Sequence, residues 1–212
     1  MEIYLYWSKI APLSPRELEE QMQYLPPEKR QRLQRMHSKE RMLASLWAER
    51  LLRYGLWRQY GRKAEGMERD VTSQGKPFFA DGKIHFSLSH SGAYALAALS
   101  RQTVGADIQE VREVDMASIA RRVFALREYE AWRTVQEETV RKQLFYQIWT
   151  CRESEGKRQG CGLCRALPSC ILPDGSLDPR YFYDRKGNIF IAASAAAEAD
   201  FVLQYIDLTK IQ

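Results

Sequence analysis

The 212-residue sequence lacks a long apolar run. Its uncharged apolar stretches, such as Ala93–Ser100, fall far short of the roughly 20 residues that a membrane helix needs. The first residues, Met1 to Tyr4, contain no basic region, no apolar core and no small-residue cleavage site, so no signal peptide is predicted. We therefore expect a cytoplasmic protein that does not bind a membrane.

Cysteine and histidine are also scarce, with four and three residues. The cysteines stand at positions 151, 161, 164 and 170, and no histidine lies in that third of the chain. Cys161 and Cys164 have the spacing of half a zinc site, but no second pair completes it. Disulfides are rare in reducing compartments, so the pattern favours free thiols.

The composition is that of a globular protein, with 45% hydrophobic and 28% charged residues and a net charge of +5. Residues 28–41 hold six basic and two acidic side chains, so most of the excess positive charge is local. A nucleic-acid surface would spread its basic residues over a patch or stripe. One cluster fits a small polyanion or an acidic protein equally well, and it also fits a solvated helix face.

Hydrophobic periodicity predicts an α+β protein. In the first half it predicts a strand at 3–7, a helix at 14–23 and a helix from Glu28 to about Tyr60, with Gly55 as a break and Gly61 as the stop. Ser14 is the expected N-cap, in a capping box with Glu17. A hairpin follows, in which Ser89–Gly92 form the expected polar turn.

The second half repeats this mixture of elements. The pattern predicts a strand at 104–108, helices at about 116–124, 126–138 and 140–159, and strands near 181–183, 189–191 and 201–206. We therefore expect two similar α+β halves, residues 1–104 and 105–212.

Three polar groups could carry chemistry. Ser89 and His90 follow an alternating strand, Asp107 lies on the strand at 104–108, and Glu153 and Lys157 share one helix face. Taken singly, each group has an ordinary structural explanation, such as a surface ion pair.

Together, these residues belong to motifs that resemble a known family. The motifs are PEKRQR at 27–32, GKP at 75–77, FSLSHSG at 86–92, VGADI at 104–108, and WTCRES at 149–154 followed by Lys157, Gly160 and Gly162. In this order they resemble the Sfp-type 4′-phosphopantetheinyl transferases. The resemblance implies two halves related by a pseudo-twofold axis, a monomer, and one active site between the halves.

The resemblance also implies a reaction. A serine of an acyl or peptidyl carrier protein attacks the β-phosphate of coenzyme A, takes the phosphopantetheine arm and releases 3′,5′-ADP. The metal is Mg²⁺, or Mn²⁺ in its place, held by Asp107, Gln109 and Glu153. The implied catalytic residues are Glu153 as base, Lys157 as the cation that neutralises the phosphoryl oxygens, and His90 as a phosphate ligand. The implied coenzyme A contacts are Lys29, Arg32, Ser45, Lys76, Pro77, Ser89, His90 and Lys157.

Several positions depart from the family pattern. Many relatives have Asp-x-Glu where this chain has Asp107-Ile108-Gln109, so we expect a metal site weaker by one carboxylate. Arg152 replaces a common lysine, which keeps the charge but changes the donor geometry. Glu155 and Gly156 replace apolar residues, and we expect them to weaken the helix.

Two other functions fit parts of the sequence. A module that binds coenzyme A with little transfer would keep Lys29, Arg32 and His90 and lose the metal carboxylates. A nucleic-acid-binding protein would interleave basic residues with exposed aromatics. The aromatics at 47, 54 and 57 have core spacing instead, so the resemblance favours the transferase, with no nucleic-acid partner.

Overall fold

A computed structural model describes residues 2–211 and shows a mixed α+β protein. The strands are β1 (Glu2–Lys9), β2 (Arg69–Val71), β3 (Pro77–Phe79), β4 (His85–Ser91), β5 (Tyr94–Ser100), β6 (Val104–Glu110), β7 (Tyr181–Lys186), β8 (Ile189–Ala195) and β9 (Asp200–Tyr205). The α-helices are α1 (Pro15–Gln23), α2 (Pro27–Gln34), α3 (Lys39–Tyr60), α4 (Met116–Val123), α5 (Leu126–Arg133) and α6 (Glu138–Gln159). No helix between residues 2 and 211 combines the length and apolarity needed to cross a membrane.

The two larger sheets pack against each other and each carries a long helix on its outer face. The strand orders are β4-β5-β1-β9 and β6-β8-β7, while β2 and β3 form a separate ribbon. Side chains such as Ile3 and Leu96 pack against Ile108 and Ile191 between the sheets. The opposite faces pack on α3 and on α6. The result is a layer order of helix, sheet, sheet, helix.

The halves use the same order of elements. In the first, β1 leads through helices that end with the 22-residue α3 into the hairpin β4–β5, and the strand order is β4-β5-β1. In the second, β6 leads through helices that end with the 22-residue α6 into the hairpin β7–β8, and the order is β7-β8-β6. Two parts have no counterpart: the ribbon β2–β3 between α3 and β4, and β9, which pairs in parallel with β1 in the first sheet. The pseudo-twofold rotation itself stays a prediction.

Local sequence signals account for most element ends. The capping box before α1 is confirmed: Glu17 N donates to Ser14 Oγ over 3.3 Å, and Ser14 N donates to the Glu17 carboxylate over 2.8 Å. Gly61 ends α3 with a φ of +60°, as expected of a left-handed cap.

The single helix predicted from Glu28 to Tyr60 is wrong. The chain breaks after α2, and Ser38 starts α3 by accepting a hydrogen bond from Arg41 N at 3.2 Å. Gly55 is not a break. A Cβ at this position would lie 2.5 Å from a methyl carbon of Leu99, so the glycine lets α3 approach its sheet closely.

Candidate active site

A charged cluster around the buried Asp107 lies where β6 faces the C-terminal part of α6. Asp107 Oδ1 accepts hydrogen bonds from Lys157 Nζ and from Ser89 Oγ, both at 2.6 Å. Lys157 Nζ also donates to Ser89 Oγ over 2.7 Å. Asp107 is 2% exposed and the Lys157 side chain is 31% exposed, so the ion pair is shielded from solvent on its Asp107 side and open on its Lys157 side.

Three serines of β4 hold the strand that carries Asp107. The hydroxyls of Ser87, Ser89 and Ser91 accept hydrogen bonds from the backbone N–H groups of residues 106, 108 and 110, at 3.0, 3.4 and 3.0 Å. Residues two apart on a strand face the same way, so the alternating serines form a seam between the two sheets. This seam fixes Asp107 beside Ser89.

The expected polar turn at Ser89–Gly92 is therefore wrong in part. Ser89 and His90 are strand residues in β4, and the hairpin turns at Gly92 and Ala93, where Gly92 has a φ of +52°. Ala93 N donates to the Glu110 carboxylate over 3.1 Å. Ser89 and His90 belong to the strand because they pair with Leu96 and Ala95 of β5, so the hairpin extends further than the sequence pattern predicts.

Glu153 lies one helical turn before Lys157 and is electrostatically coupled to Asp107. Burial raises the pKa of the Glu153 carboxyl, and the negative charge of Asp107 raises it further, while Lys157 opposes the rise. A carboxyl whose pKa is moved toward neutrality is suited to accept a proton.

Gln109 lies two residues after Asp107 on the same strand face. Its side-chain Nε2 donates to Asp107 Oδ2 over 2.7 Å. The amide thus orients the carboxylate oxygen that Ser89 and Lys157 leave free, and whether Gln109 binds a metal stays a prediction.

A cleft of about 1180 Å³ opens beside the buried cluster. It is lined by seven of the residues implied by the family motifs: Lys29, Arg32, Ser45, Lys76, Pro77, His90 and Lys157. The other four, Ser89, Asp107, Gln109 and Glu153, do not line it. Lys157 lines the cleft and also pairs with Asp107, so it connects the cleft to the buried cluster.

Two further charged residues, Glu49 and Arg69, line this cleft. Glu49 is 2% exposed, and its carboxylate binds Lys29 Nζ at 3.4 Å and Arg69 Nη1 at 2.7 Å. Arg69 also lies over the rings of Phe79 and Phe86. Glu49 therefore holds two cations in the cleft wall. It had no sequence signal, because Glu49 lies within a helical apolar pattern far from Arg69.

His90 is open to solvent at the cleft and surrounded by cations. Partial desolvation is the largest cause that lowers the pKa of its imidazole, followed by the positive charges of Lys157 and Lys29. His90 is therefore a neutral hydrogen-bonding group at neutral pH until an anion enters the cleft.

Lys76 connects the cleft to the end of α6. Its ammonium donates to the carbonyl oxygens of Arg158 at 2.7 Å and Val104 at 3.2 Å. Burial, and then the charge of Arg158, lowers the pKa of Lys76 to about 8. This amine is therefore a cation that titrates close to neutral pH.

Glu155 and Gly156 do not simply weaken α6. Glu155 is 2% exposed and accepts two hydrogen bonds from Arg158, at 2.8 and 2.6 Å. A Cβ at residue 156 would lie 2.5 Å from the carbonyl oxygen of Gly162. This close approach leaves no room for a side chain at residue 156, and the expected weakening of the helix stays a prediction.

The cluster offers a cation only oxygen ligands, from Asp107, Glu153 and Gln109. In residues 2–211 no three histidine, cysteine, aspartate or glutamate residues gather as a metal site. Mg²⁺ keeps several waters and needs only one or two carboxylates, so this donor set fits Mg²⁺ and not a metal that requires nitrogen or sulfur ligands. Asp107 raises the pKa of Glu153 because the two negative charges repel each other, and a bound cation would offset this repulsion.

Comparison with known proteins places these residues in a family context. A sequence model of the 4′-phosphopantetheinyl transferase superfamily matches residues 103–206, and a model of the N-terminal region of 4′-phosphopantetheinyl transferases matches residues 11–102. The chain is 32% identical over 171 residues to 4′-phosphopantetheinyl transferase Sfp of Bacillus subtilis (strain 168), covering 80% of this chain and 75% of the relative. It is 37% identical over 102 residues to 4′-phosphopantetheinyl transferase HetI of Nostoc sp., covering 45% of this chain and 43% of that protein.

Proposed function

The chain belongs to the 4′-phosphopantetheinyl transferase superfamily and is a transferase, and from this premise we propose that it moves the 4′-phosphopantetheine arm of coenzyme A to a serine of an apo acyl or peptidyl carrier protein. The second product is 3′,5′-ADP. The observation that carries the proposal is the position of Lys157, which lines the cationic cleft and also pairs with Asp107 at 2.6 Å. A diphosphate in the cleft would lie beside the two carboxylates.

Coenzyme A would bind through its phosphates. Lys29 and Arg32 would bind the 3′-phosphate, with Ser45, Lys76 and Pro77 nearby. Ser89 and His90 would lie on the diphosphate side. Lys29 is already held in the cleft wall by Glu49, so a phosphate would meet a preorganised cation.

Asp107 and Glu153 would hold Mg²⁺, or Mn²⁺ in its place, with the Gln109 amide as a further oxygen ligand or hydrogen-bond partner. When bound, the cation neutralises charge on the diphosphate oxygens. Gln109 Nε2 donates a hydrogen bond to Asp107 Oδ2. The Gln109 side chain would therefore rotate before its amide oxygen could face the metal.

Three residues, Glu153, Lys157 and His90, would each assist a different part of the transfer. The serine oxygen forms a bond to the β-phosphorus while the bond from that phosphorus to the oxygen of 3′,5′-ADP breaks. Glu153 accepts the serine proton, directly or through water. Lys157 offsets charge on the transferred phosphoryl group, and His90 donates a hydrogen bond to it.

We assign the coenzyme A phosphate and adenine contacts to residues 1–104 and the metal and catalytic helix to residues 105–212, with a single chain acting as a monomer. We also propose a reducing, cytoplasmic setting, in which the four cysteines stay free thiols. Carrier proteins are acidic, and the exposed cations of residues 28–41 would attract them.

The test is the intact mass of several apo acyl and peptidyl carrier proteins after incubation with the protein, Mg²⁺ and coenzyme A. A metal-dependent gain of one phosphopantetheine group is expected. No gain across the panel, with coenzyme A still bound, would replace the proposal by the binding-module function and point to Gln109 as the cause.

Affinity for coenzyme A should fall as pH rises through 8. The protonated Lys76 binds phosphate and the neutral amine does not, so with a pKa of about 8 the Kd should rise about tenfold between pH 7 and pH 9. The free energy of unfolding should change in the opposite direction. The folded chain releases the Lys76 proton at a lower pH than the unfolded chain does, so the protein becomes more stable as pH rises from 8 to the ordinary pKa of lysine. Calorimetric titration at each pH measures the Kd.

The matched variant is Lys76→Gln, which should bind coenzyme A more weakly at pH 7 and lose most of the pH dependence. Parallel profiles for the two proteins would show that another group titrates.

A further inference from the structure

Arg152 and Glu128 form an ion pair inside the second half, away from the coenzyme A cleft. Both side chains are 0% exposed, and Arg152 Nη1 donates to Glu128 Oε2 over 2.9 Å. A buried pair of this kind costs more to desolvate than a surface pair, so it is weak evidence for stability alone.

The same guanidinium holds the segment that follows α6. It donates to the carbonyl oxygens of Cys164 at 2.7 Å, Arg165 at 3.2 Å, and Leu167 and Pro168 at 3.4 Å each. The other Glu128 oxygen accepts from Cys170 N over 2.7 Å. One ion pair therefore ties α5 and α6 to the clamped segment, residues 164–170.

The chain just before the clamped segment forms part of the cleft. Gly160 and Gly162 line the cleft, and the Gly162 carbonyl lies against Gly156 of α6. Gly156 immediately precedes Lys157, and Arg152 immediately precedes Glu153. A shift of the clamped segment would therefore move both the cleft wall and the part of α6 that carries the site.

The geometry requires an arginine. Four backbone carbonyls and a carboxylate surround two terminal nitrogens of one planar group. A lysine ammonium has three donors on a single atom and cannot reach all five acceptors. A lysine at this position would leave several of these acceptors without a partner.

We propose that Arg152, paired with Glu128, is a positioning residue for phosphopantetheine transfer, because it holds the clamped segment and through it the cleft wall and the Glu153–Lys157 turn. The inference rests on the proposed function. Arg152→Lys should lower kcat/KM for transfer by roughly 10- to 100-fold, since small displacements of catalytic groups have effects of this size. Both a lower kcat and a higher KM for coenzyme A are expected.

Limited trypsin digestion gives a readout that does not depend on activity. The bond after Arg165 lies in the clamped segment, and Arg165 is exposed. In the unsubstituted protein this bond should resist cleavage, and in Arg152→Lys it should be cut many times faster, as fragment masses would show. The matched control is Arg133→Lys, which replaces the guanidinium of an exposed ion pair with Glu130. This variant should show unchanged transfer and unchanged digestion.

A double variant, Glu128→Gln with Arg152→Met, separates positioning from stability. Removing both charges avoids an unpaired buried ion, so thermal stability should recover relative to Arg152→Met alone. Transfer should stay low and the bond after Arg165 should stay sensitive.

Two results would overturn the inference. One is unchanged kcat and unchanged digestion in Arg152→Lys at a temperature where it is folded. The other is a double variant that regains transfer together with stability. Failure of the proposed function is distinguishable, because the unsubstituted protein would then give no transfer while digestion and coenzyme A affinity still report on the clamped segment.

Discussion

Replacing Glu153 by glutamine should reduce phosphopantetheine transfer by about 10²- to 10⁴-fold, the range expected for loss of a general base. Glutamine keeps the size of the side chain but cannot accept the serine proton, and it contributes no charge to a metal site. Burial and the charge of Asp107 raise the pKa of Glu153, which makes this carboxyl a better proton acceptor than an exposed glutamate. Carrier mass against time, with excess coenzyme A and Mg²⁺, measures the rate.

Two controls make this result specific. Glu138→Gln removes an exposed carboxylate in the first turn of the same helix and should transfer at the unsubstituted rate. Coenzyme A should bind to Glu153→Gln within a few-fold of normal without metal, because Glu153 does not line the cleft. Full transfer by Glu153→Gln would assign the base to another group.

Replacing Gly105 by alanine should both destabilise the protein and slow transfer. The new Cβ would lie 1.9 Å from the carbonyl oxygen of Ser154 and 2.5 Å from Arg158 N, so the backbone of α6 must move away from β6. Overpacking of this kind costs about 3 kcal/mol when no flexible side chain can yield. A shift near 1 Å between Asp107 and Lys157 would lower the rate by about 100-fold.

Thermal unfolding and transfer well below the midpoint measure these two effects separately. Gly66→Ala is the matched control for stability, since a Cβ there meets nothing within 4 Å and its φ is not in the left-handed region. An unchanged midpoint and rate for Gly105→Ala would mean that β6 and α6 do not require their close approach.

Local patterns in the sequence predicted most of the elements but not their lateral partners. Alternation located β1 and β6, and Ser14 and Gly61 marked helix ends. The break before Ser38 was missed because Leu33 and Met36 continue a helical apolar pattern, although they pack with Met22 and Leu25 in a small core of their own.

The same limit applies to the site. The order of the motifs predicted that Asp107 and Lys157 belong to one site, and the two side chains are in contact in the structure. Glu49 and Glu128 escaped notice because each is defined by a partner at least 20 residues away, Arg69 and Arg152, and no local pattern records such a pairing. Buried ion pairs between distant segments are products of the tertiary fold.

The serine seam between β4 and β6 joins the two halves through side chains, whereas the strands within each sheet are joined by backbone pairs. Within a sheet, each N–H is fixed by a carbonyl of rigid backbone, whereas a serine hydroxyl can swing about its Cα–Cβ bond and release its amide. Loss of one serine hydroxyl on β4 would therefore leave one N–H of β6 without its acceptor while the ladders of both sheets stay paired. The position of Asp107 relative to Ser89 thus depends on side-chain hydrogen bonds and not on a backbone ladder.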